Sequence, residues 1–303
     1  MSGSRPSDES WRADAFVGSR HSRWVEELRQ PLDLHDEVRA ADICAQVSRL
    51  ALQDFAPALL LLSRLHRQRL QTITAYVLTL FDFVRQSGLE GERLTAINRW
   101  EFDLEAALEG HPAGQPVFVQ IYALERQQPW AREGFDRLHG LARRRSVQLR
   151  PIDRQAAEGE AAVLGECLAW LFLGQRPTEP VARMASAWVR LRGLLNLGDD
   201  LRRHRARLPT SELPQNWSLK DGSSQLVVAN AIHDECGRLG PMLADRSLSS
   251  QVPKALRAAA RYCQRTAMRL LEQTESKGVG LLESPPQIGL WSRLALLARS
   301  RWF

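Results

Sequence analysis

Apolar residues recur at intervals of three and four positions along most of this chain. One run comprises Leu70, Ile73, Val77, Leu80, Phe81 and Val84, and a second comprises Leu94, Ile97, Trp100, Leu104 and Leu108. Two later runs comprise Val163, Cys167 and Leu171, and Met184, Trp188, Leu191 and Leu195. This spacing places apolar side chains on one face of an α-helix, whereas the alternating runs typical of strands are absent. We therefore predict an all-α protein with about nine or ten helices.

Clusters of proline and glycine mark the breaks between the predicted helices. They span Gly110 to Pro116, Gly174 to Pro180, Pro209 to Pro214 and Ser284 to Pro286. The chain starts differently, because Ser, Arg and Asp dominate Met1 to Arg20 and offer too little apolar surface to offset the entropy lost on ordering. We therefore predict a flexible arm over residues 1–35 and a helical domain over residues 36–303.

Arginine supplies nearly all of the positive charge. The net charge is +6, and the lysines are Lys220, Lys254 and Lys277 alone. Arginine binds phosphate through paired hydrogen bonds, whereas lysine acts as a point charge. Two clusters stand out, namely Arg143, Arg144 and Arg145, and Arg202, Arg203, Arg205 and Arg207. The alternative is a solvated helix face. No aromatic interleaving or known module accompanies these clusters, so we expect no nucleic-acid partner.

The four cysteines are scattered over apolar helix faces without a CxxC pair. Cys44, Cys167, Cys236 and Cys263 are therefore expected to be reduced core residues, which favours a cytoplasmic protein. No apolar run approaches the length of a membrane span, and no secretory signal is expected at the start of the chain.

The C-terminal segment 288–303 combines apolar and basic residues. Trp291, Leu294, Leu297 and Trp302 share an apolar side, while Arg293, Arg299 and Arg301 lie nearby. This pattern is typical of an amphipathic helix at a membrane interface, and it predicts peripheral contact at the inner face of the membrane. The alternative is a helix docked on the protein's own core.

The most informative motif lies between Val189 and Leu213. It resembles the second aspartate-rich helix of squalene and phytoene synthases, and HRARLPTSEL from His204 resembles the basic turn that follows that helix. Three further blocks, at residues 78–94, 115–140 and from 252 onward, resemble the family in the same order, and the last of them is especially similar to the hopanoid-pathway branch. The resemblance covers roughly residues 40–300. It implies an isoprenoid synthase-type helical bundle around a central apolar cavity.

Several motif residues of the family are replaced in this chain. Counting back from the basic turn, Val189 stands where the family has Gln and Arg192 where it has Asn. Asn196 replaces the first aspartate of the pair, whereas Asp200 keeps the second and has Asp199 beside it.

The family's first aspartate-rich motif is reduced further. The matching segment, FDFVRQSG, contains Asp82 as its single carboxylate and carries Arg85 within the motif. By resemblance, both motifs bind a prenyl diphosphate through magnesium, which prefers hard oxygen ligands. If the chain is active, Asp82 and Asp200 are the expected magnesium ligands, on helices that face each other across the cavity. Otherwise no cofactor is expected, and no catalytic residue is assigned.

Two functions follow from the resemblance. The first is a non-catalytic member that binds a prenyl lipid or a protein partner. The second is a divergent prenyltransferase that condenses farnesyl or geranylgeranyl diphosphate. For either function the predicted site for substrate or diphosphate comprises Asp82, Arg85, Arg192, Asn196, Asp199, Asp200, Arg202 and Arg205. Arg85, Arg192, Arg202 and Arg205 lie on or beside the two motifs and supply fixed positive charge, so they could hold a diphosphate by charge-assisted hydrogen bonds without a metal. Alternatively, they pair with Asp82, Asp199 and Asp200 and close the site.

Overall fold

A computed structural model describes residues 26–33, 36–85, 89–148, 153–202, 221–245 and 251–302. Throughout these ranges the regular structure is helical, so the all-α prediction is confirmed. The first six helices are α1 (Glu37–Leu52), α2 (Arg64–Arg85), α3 (Glu90–Leu108), α4 (Pro116–Glu125), α5 (Arg132–Val147) and α6 (Arg154–Leu173). The next five are α7 (Glu179–Leu195), α8 (Leu197–Arg202), α9 (Gly222–Ala244), α10 (Arg257–Lys277) and α11 (Leu290–Trp302). Three 3-10 segments span Gln53–Leu61, Lys254–Leu256 and Gly278–Leu282.

Local sequence signals explain where these helices begin and end. Asp153 caps α6 by accepting a 2.8 Å hydrogen bond from the backbone N–H of Ala156. The same helix ends at Gly174, whose φ of 72° places it in the left-handed region that favours glycine. Pro116 occupies the start of α4, where its missing N–H is not needed. Three of the four predicted breaks therefore fall between helices, and Pro209 to Pro214 lies outside the described residues.

The N-terminal half of the core contains a group of aromatic side chains between α2, α3, α4 and α5. The ring centroids of Tyr76 and Phe135 lie 5.1 Å apart, and those of Trp100 and Phe118 lie 4.4 Å apart. The predicted apolar face of α2 is buried here, as Leu80 and Val84 show. Burial of such large rings makes this cluster a principal source of stability.

The C-terminal half of the core is aliphatic. It is built by α7, α8, α9 and α10 together with the three 3-10 segments. Leu191, Leu239 and Leu270 are each completely buried in it. The two halves meet at the α6–α7 pair, because Phe172 packs against both clusters.

Gly165 allows α6 and α7 to approach closely. A Cβ at this position would lie only 2.4 Å from the backbone N of Ser186, a separation that no real side chain adopts. The glycine is therefore required by backbone contact between the two helices, and it fixes how the two halves of the core are joined.

Arg69 is buried completely inside this core. Its guanidinium donates hydrogen bonds of 2.7, 2.9 and 3.1 Å to the carbonyls of Leu171, Gln128 and Pro129, and it lies 3.9 Å from the centroid of the Trp130 ring. Burial lowers the pKa of Arg69 to about 10, so the group stays charged at neutral pH. Arg69 therefore ties α2 to the end of α6 and to the loop between α4 and α5.

Residues 26–33 lie against the helical body. Leu28 is fully buried, and the backbone N of Leu32 donates a 2.6 Å hydrogen bond to the carbonyl of Gly114. The predicted boundary between an arm over residues 1–35 and a domain over residues 36–303 stays a prediction.

The four cysteines are unpaired thiols, and burial raises the pKa of Cys44 to about 12. Among the described helices, none is long and apolar enough to cross a membrane.

Candidate functional site

The first motif carboxylate is already paired with an arginine. Nη2 of Arg29 donates a 2.8 Å hydrogen bond to Oδ2 of Asp82, and the two side chains are 36% and 24% exposed. The Arg29 guanidinium also lies 4.6 Å from the centroid of the Phe83 ring. The anchoring of Leu28 in the core places Arg29 over this turn of α2. The carboxylate thus faces a fixed positive charge.

A second arginine flanks the same motif from α5. The Arg145 guanidinium lies 4.8 Å from the centroid of the Phe81 ring, and its Nε donates a 2.9 Å hydrogen bond to Glu160 on α6. Its side chain is only 8% exposed. Arg145 is therefore neither a solvated residue nor an available phosphate ligand, and it places further positive charge beside the first motif.

The second motif is split between two helices. Asn196 ends α7 with φ −96° and ψ 3°, is exposed, and accepts a 3.0 Å hydrogen bond at its carbonyl from the N–H of Asp200. Asp200 lies on α8 and is partly exposed. Gly198 holds α8 against Gly278–Leu282, since a Cβ there would lie 2.2 Å from the carbonyl oxygen of Leu282. The expected single long helix is therefore interrupted at Asn196.

Arg192 on α7 is hydrogen-bonded to the end of α1. Its Nη2 donates a 2.6 Å hydrogen bond to the carbonyl of Ala51, and its Nη1 donates a 3.3 Å bond to Oε1 of Gln53. Arg192 thereby satisfies a terminal carbonyl of α1, as arginine commonly does near helix C-termini. Val189, at the family's Gln position, packs against the aromatic half of the core.

The remaining predicted site residues lie partly or wholly outside the described structure. Arg85, Asp199 and Arg202 have helical backbones, but their side chains are not among the described ones. Arg205 lies outside the described residues altogether. The prediction that the helices of Asp82 and Asp200 face each other across a central apolar cavity stays a prediction.

The described donors do not form a magnesium site. Among the described side chains, no three His, Cys, Asp or Glu residues lie close enough to share a metal ion. One oxygen of the Asp82 carboxylate accepts a hydrogen bond from Arg29. In the second motif, the neutral Asn196 stands at the position of the family's first aspartate. Magnesium needs several hard oxygen ligands near one point, so this part of the site does not fit it.

A cavity of about 270 Å³ opens elsewhere, between the α6–α7 turn and the start of α10. Leu173, Arg176, Val181, Val252 and Arg257 contribute to its walls. Neither Asp82 nor Asp200 lines it.

A buried polar chain lies one turn of α2 before the first motif. The hydroxyl of Tyr76 lies 2.6 Å from Nε2 of His139, and Nδ1 of His139 lies 3.2 Å from Oε1 of Glu101. Glu101 is also bonded to Arg143. Burial lowers the pKa of His139 to about 4, and the Glu101 carboxylate opposes this shift. His139 is therefore neutral at physiological pH.

The sequence indicated some of these positions and missed others. Asp82 was found by motif resemblance, whereas Arg29 was placed in the predicted arm. The signal that was available is the three-residue spacing of Val25 and Leu28, which is typical of a helix with a buried face. For the cluster Arg143 to Arg145 the sequence predicts phosphate binding or a solvated helix face. Arg143 is 38% exposed and binds Glu101, whereas Arg145 is buried and binds Glu160.

The fold places the chain in the class of isoprenoid synthase-type helical proteins. It superimposes on a dehydrosqualene synthase crystallised with a ligand, with a TM-score of 0.74 and 13% identity, covering 89% of this chain and 98% of that one. It also superimposes on squalene synthase HpnC from Alicyclobacillus acidocaldarius, with a TM-score of 0.64 and 18% identity, covering 87% of this chain and 100% of that one. No curated protein sequence matches the chain.

The family follows from the sequence itself. The squalene/phytoene synthase family model matches residues 49–292, which is most of the chain. The chain belongs to the squalene/phytoene synthase family.

Proposed function

We propose that this protein is a non-catalytic member of its family that binds a prenyl lipid or prenyl diphosphate, or that binds a protein partner through its surface. The observation that carries the proposal is the Arg29–Asp82 ion pair. Ionisation of an allylic diphosphate requires divalent charge at the leaving group, and the family uses magnesium held by motif carboxylates for this. Here the one carboxylate of the first motif is neutralised by an arginine.

The surroundings of the first motif disfavour a metal cation. Arg29 and Arg145 stack on the aromatic residues on either side of Asp82, and their positive charges repel a divalent ion although each is paired with a carboxylate. The guanidinium groups that could bind diphosphate oxygens directly, without magnesium, are those of the other motif arginines. Arg85, Arg202 and Arg205 form this proposed anion site, and the amide of Asn196 can donate a hydrogen bond to it. The carboxylates of Asp199 and Asp200 oppose an anion unless arginines pair with them. Arg192 is a weaker contributor, because its donors are engaged by α1 and Gln53.

The experiment is a calorimetric titration of a non-hydrolysable farnesyl diphosphate analogue, with and without magnesium. Binding that is independent of magnesium and weakened by Arg202→Ala supports the proposal. Arg39→Ala is the matched control, because Arg39 is an exposed arginine on α1 far along the chain from both motifs. Absence of binding in both buffers supports a closed site and excludes the binding of a prenyl diphosphate. Binding of a protein partner is then the part of the proposal that remains.

The second candidate is a divergent prenyltransferase acting on farnesyl or geranylgeranyl diphosphate, with Asp82 and Asp200 as magnesium ligands. Family membership and the retained Asp200 favour it. Strictly magnesium-dependent binding in the same titration would support this candidate instead. We place either form of the protein in the cytoplasm, with peripheral contact to the inner membrane face through residues 288–303.

A further inference from the structure

Helix α11 is firmly docked through one face. Nε of Arg293 lies 3.0 Å from Oδ1 of Asp54, a carboxylate that is only 7% exposed, and donates a 2.6 Å hydrogen bond to the carbonyl of Ile288. Ile288 and Ser300 are buried, and the Ser300 hydroxyl accepts a 3.3 Å hydrogen bond from Nη1 of Arg265 on α10. This segment therefore presents a fixed outer face and is not a loose tail.

The outer face of α11 is apolar. Leu290, Trp291 and Leu294 are 66%, 81% and 46% exposed, so three large hydrophobic residues lie uncovered within five positions. At the angular spacing of an α-helix, Trp291, Ala295 and Ala298 lie within about 60° of one another, opposite the docked Leu296 and Ser300. Arg301 falls on one flank of this ridge and Arg299 on the other. An exposed apolar ridge of this kind marks an interaction surface.

The neighbouring surface of α10 is rich in positive charge. Arg257, Arg261, Arg265 and Arg269 recur at every fourth position, and no Asp or Glu occurs between Asp245 and Glu272 or after Glu283. Like charges at this spacing repel each other along a helix. Burial lowers the pKa of Arg265, and the positive charges of Arg261 and Arg299 lower it further.

Arg269 is paired with Glu272 on the same helix, but three arginines of this face have no carboxylate partner. Within the described part of the chain, Arg261, Arg265 and Arg299 form no ion pair with a carboxylate, and the buried Nε of Arg261 has no hydrogen-bond partner. Such a cluster beside an apolar ridge requires a partner that offers both anionic oxygens and an apolar interior. A nucleic acid supplies the first alone, and it would not favour insertion of Leu290 and Leu294.

We propose that the α10–α11 face docks on the surface of an anionic phospholipid bilayer. Trp291, Leu290 and Leu294 enter the boundary between headgroups and acyl chains, and Arg261, Arg265 and Arg299 bind lipid phosphates. This proposal gives residues and a lipid class to the peripheral membrane contact in the proposed function. It does not depend on the prenyl site.

The test is flotation of the full-length protein with vesicles that contain no prenyl lipid. One set is phosphatidylcholine alone, and the other mixes it equally with phosphatidylglycerol. The protein is expected to float with the mixed vesicles and to be released by high salt, because attraction to anionic lipid is screened. Arg261→Gln/Arg265→Gln/Arg299→Gln should weaken binding by about a hundredfold, and Trp291→Ser/Leu294→Ser by about tenfold.

Matched variants control for lost charge and lost apolar surface. Arg39→Gln/Arg99→Gln/Arg132→Gln removes the same charge from exposed sites on α1, α3 and α5, and Phe102→Ser removes a 72% exposed ring from α3. Both controls should bind as the wild type does.

Failure of the wild type to float with mixed vesicles, or equal losses in variants and controls, would overturn the proposal. Displacement of the vesicles by a single-stranded RNA would also overturn it and assign the arginines to nucleic acid. Calorimetry with the farnesyl analogue is unaffected by these outcomes, so the two proposals fail separately.

Discussion

Nη2 of Arg29 lies 2.8 Å from Oδ2 of Asp82, so a residue before the first long helix neutralises the carboxylate of the first family motif. The pair is held by the burial of Leu28 on one side and by the contact between Arg29 and Phe83 on the other. The Asp82 carboxylate is therefore attracted to a fixed guanidinium and not to a divalent cation. For this reason the site is not expected to ionise an allylic diphosphate.

Replacing Arg29 by Gln should change stability little and restore no catalysis. The ion pair is partly exposed, so its loss should lower the unfolding free energy by at most about 1 kcal/mol. Too few other carboxylates are gathered in the described site to hold magnesium once Asp82 is released. Urea unfolding and a pyrophosphate-release assay on the variant check both points. A gain of magnesium-dependent release would instead identify Arg29 as an autoinhibitory latch on an intact enzyme.

Arg69→Met should destabilise the fold strongly. The substitution keeps much of the side-chain volume but leaves the carbonyls of Leu171, Gln128 and Pro129 without their donor, and the bond to Leu171 is fully buried. An unsatisfied buried acceptor costs about 1–3 kcal/mol and the two part-buried ones less, so we expect a total loss of about 3–5 kcal/mol in denaturant unfolding. The exposed Arg39→Met serves as control, with an expected change within about 0.5 kcal/mol. Equal effects of the two substitutions would show that the buried clamp contributes nothing.

Mild acid should destabilise the protein through His139. The folded-state pKa is about 4, below the ordinary value of 6.5, so the unfolded chain binds the extra proton first as pH falls. Stability is therefore fully present above pH 6.5 and declines between there and pH 4. From pH 7 to pH 5 the loss from this one group should be about 2 kcal/mol. In His139→Gln the loss between these pH values should shrink by that amount, and an unchanged pH dependence would contradict the assignment.

A pair of glycines in α6 offers a matched test of helix packing. Gly165→Ala places a Cβ 2.4 Å from the Ser186 backbone and should lower the unfolding free energy by about 1–3 kcal/mol. Gly159→Ala, six residues earlier in the same helix, meets nothing within 4 Å. It should raise the unfolding free energy by about 0.5–1 kcal/mol, because alanine restricts the unfolded chain more than glycine does. Thermal unfolding of both variants gives the comparison, and effects of the same sign would refute the packing argument.

The fold was largely predictable because helical burial depends on spacing. Leu80 and Leu191 lie on apolar faces that the sequence defined, and both are buried. The family motifs likewise located Asp82 and Asp200. Spacing does not indicate which residues distant in sequence come together, so it could not pair Arg29 with Asp82 across 53 positions.

Sequence spacing also does not predict which groups an individual arginine side chain will contact. Charge and position suggested that Arg192 and Arg145 were phosphate ligands or surface residues. The structure instead engages Arg192 with the end of α1 and Arg145 with Glu160 and Phe81. These contacts depend on carbonyls and carboxylates that other helices contribute. They cannot be predicted from the composition of the sequence.

The protein is expected to bind an allylic diphosphate without ionising it. The most direct measurement is release of pyrophosphate from farnesyl diphosphate by the purified full-length protein, with magnesium present and then removed by a chelator. We predict no release above the protein-free background in either condition. Release that requires magnesium and is abolished by Asp200→Asn would contradict the account and show that the remaining aspartates still support prenyl transfer.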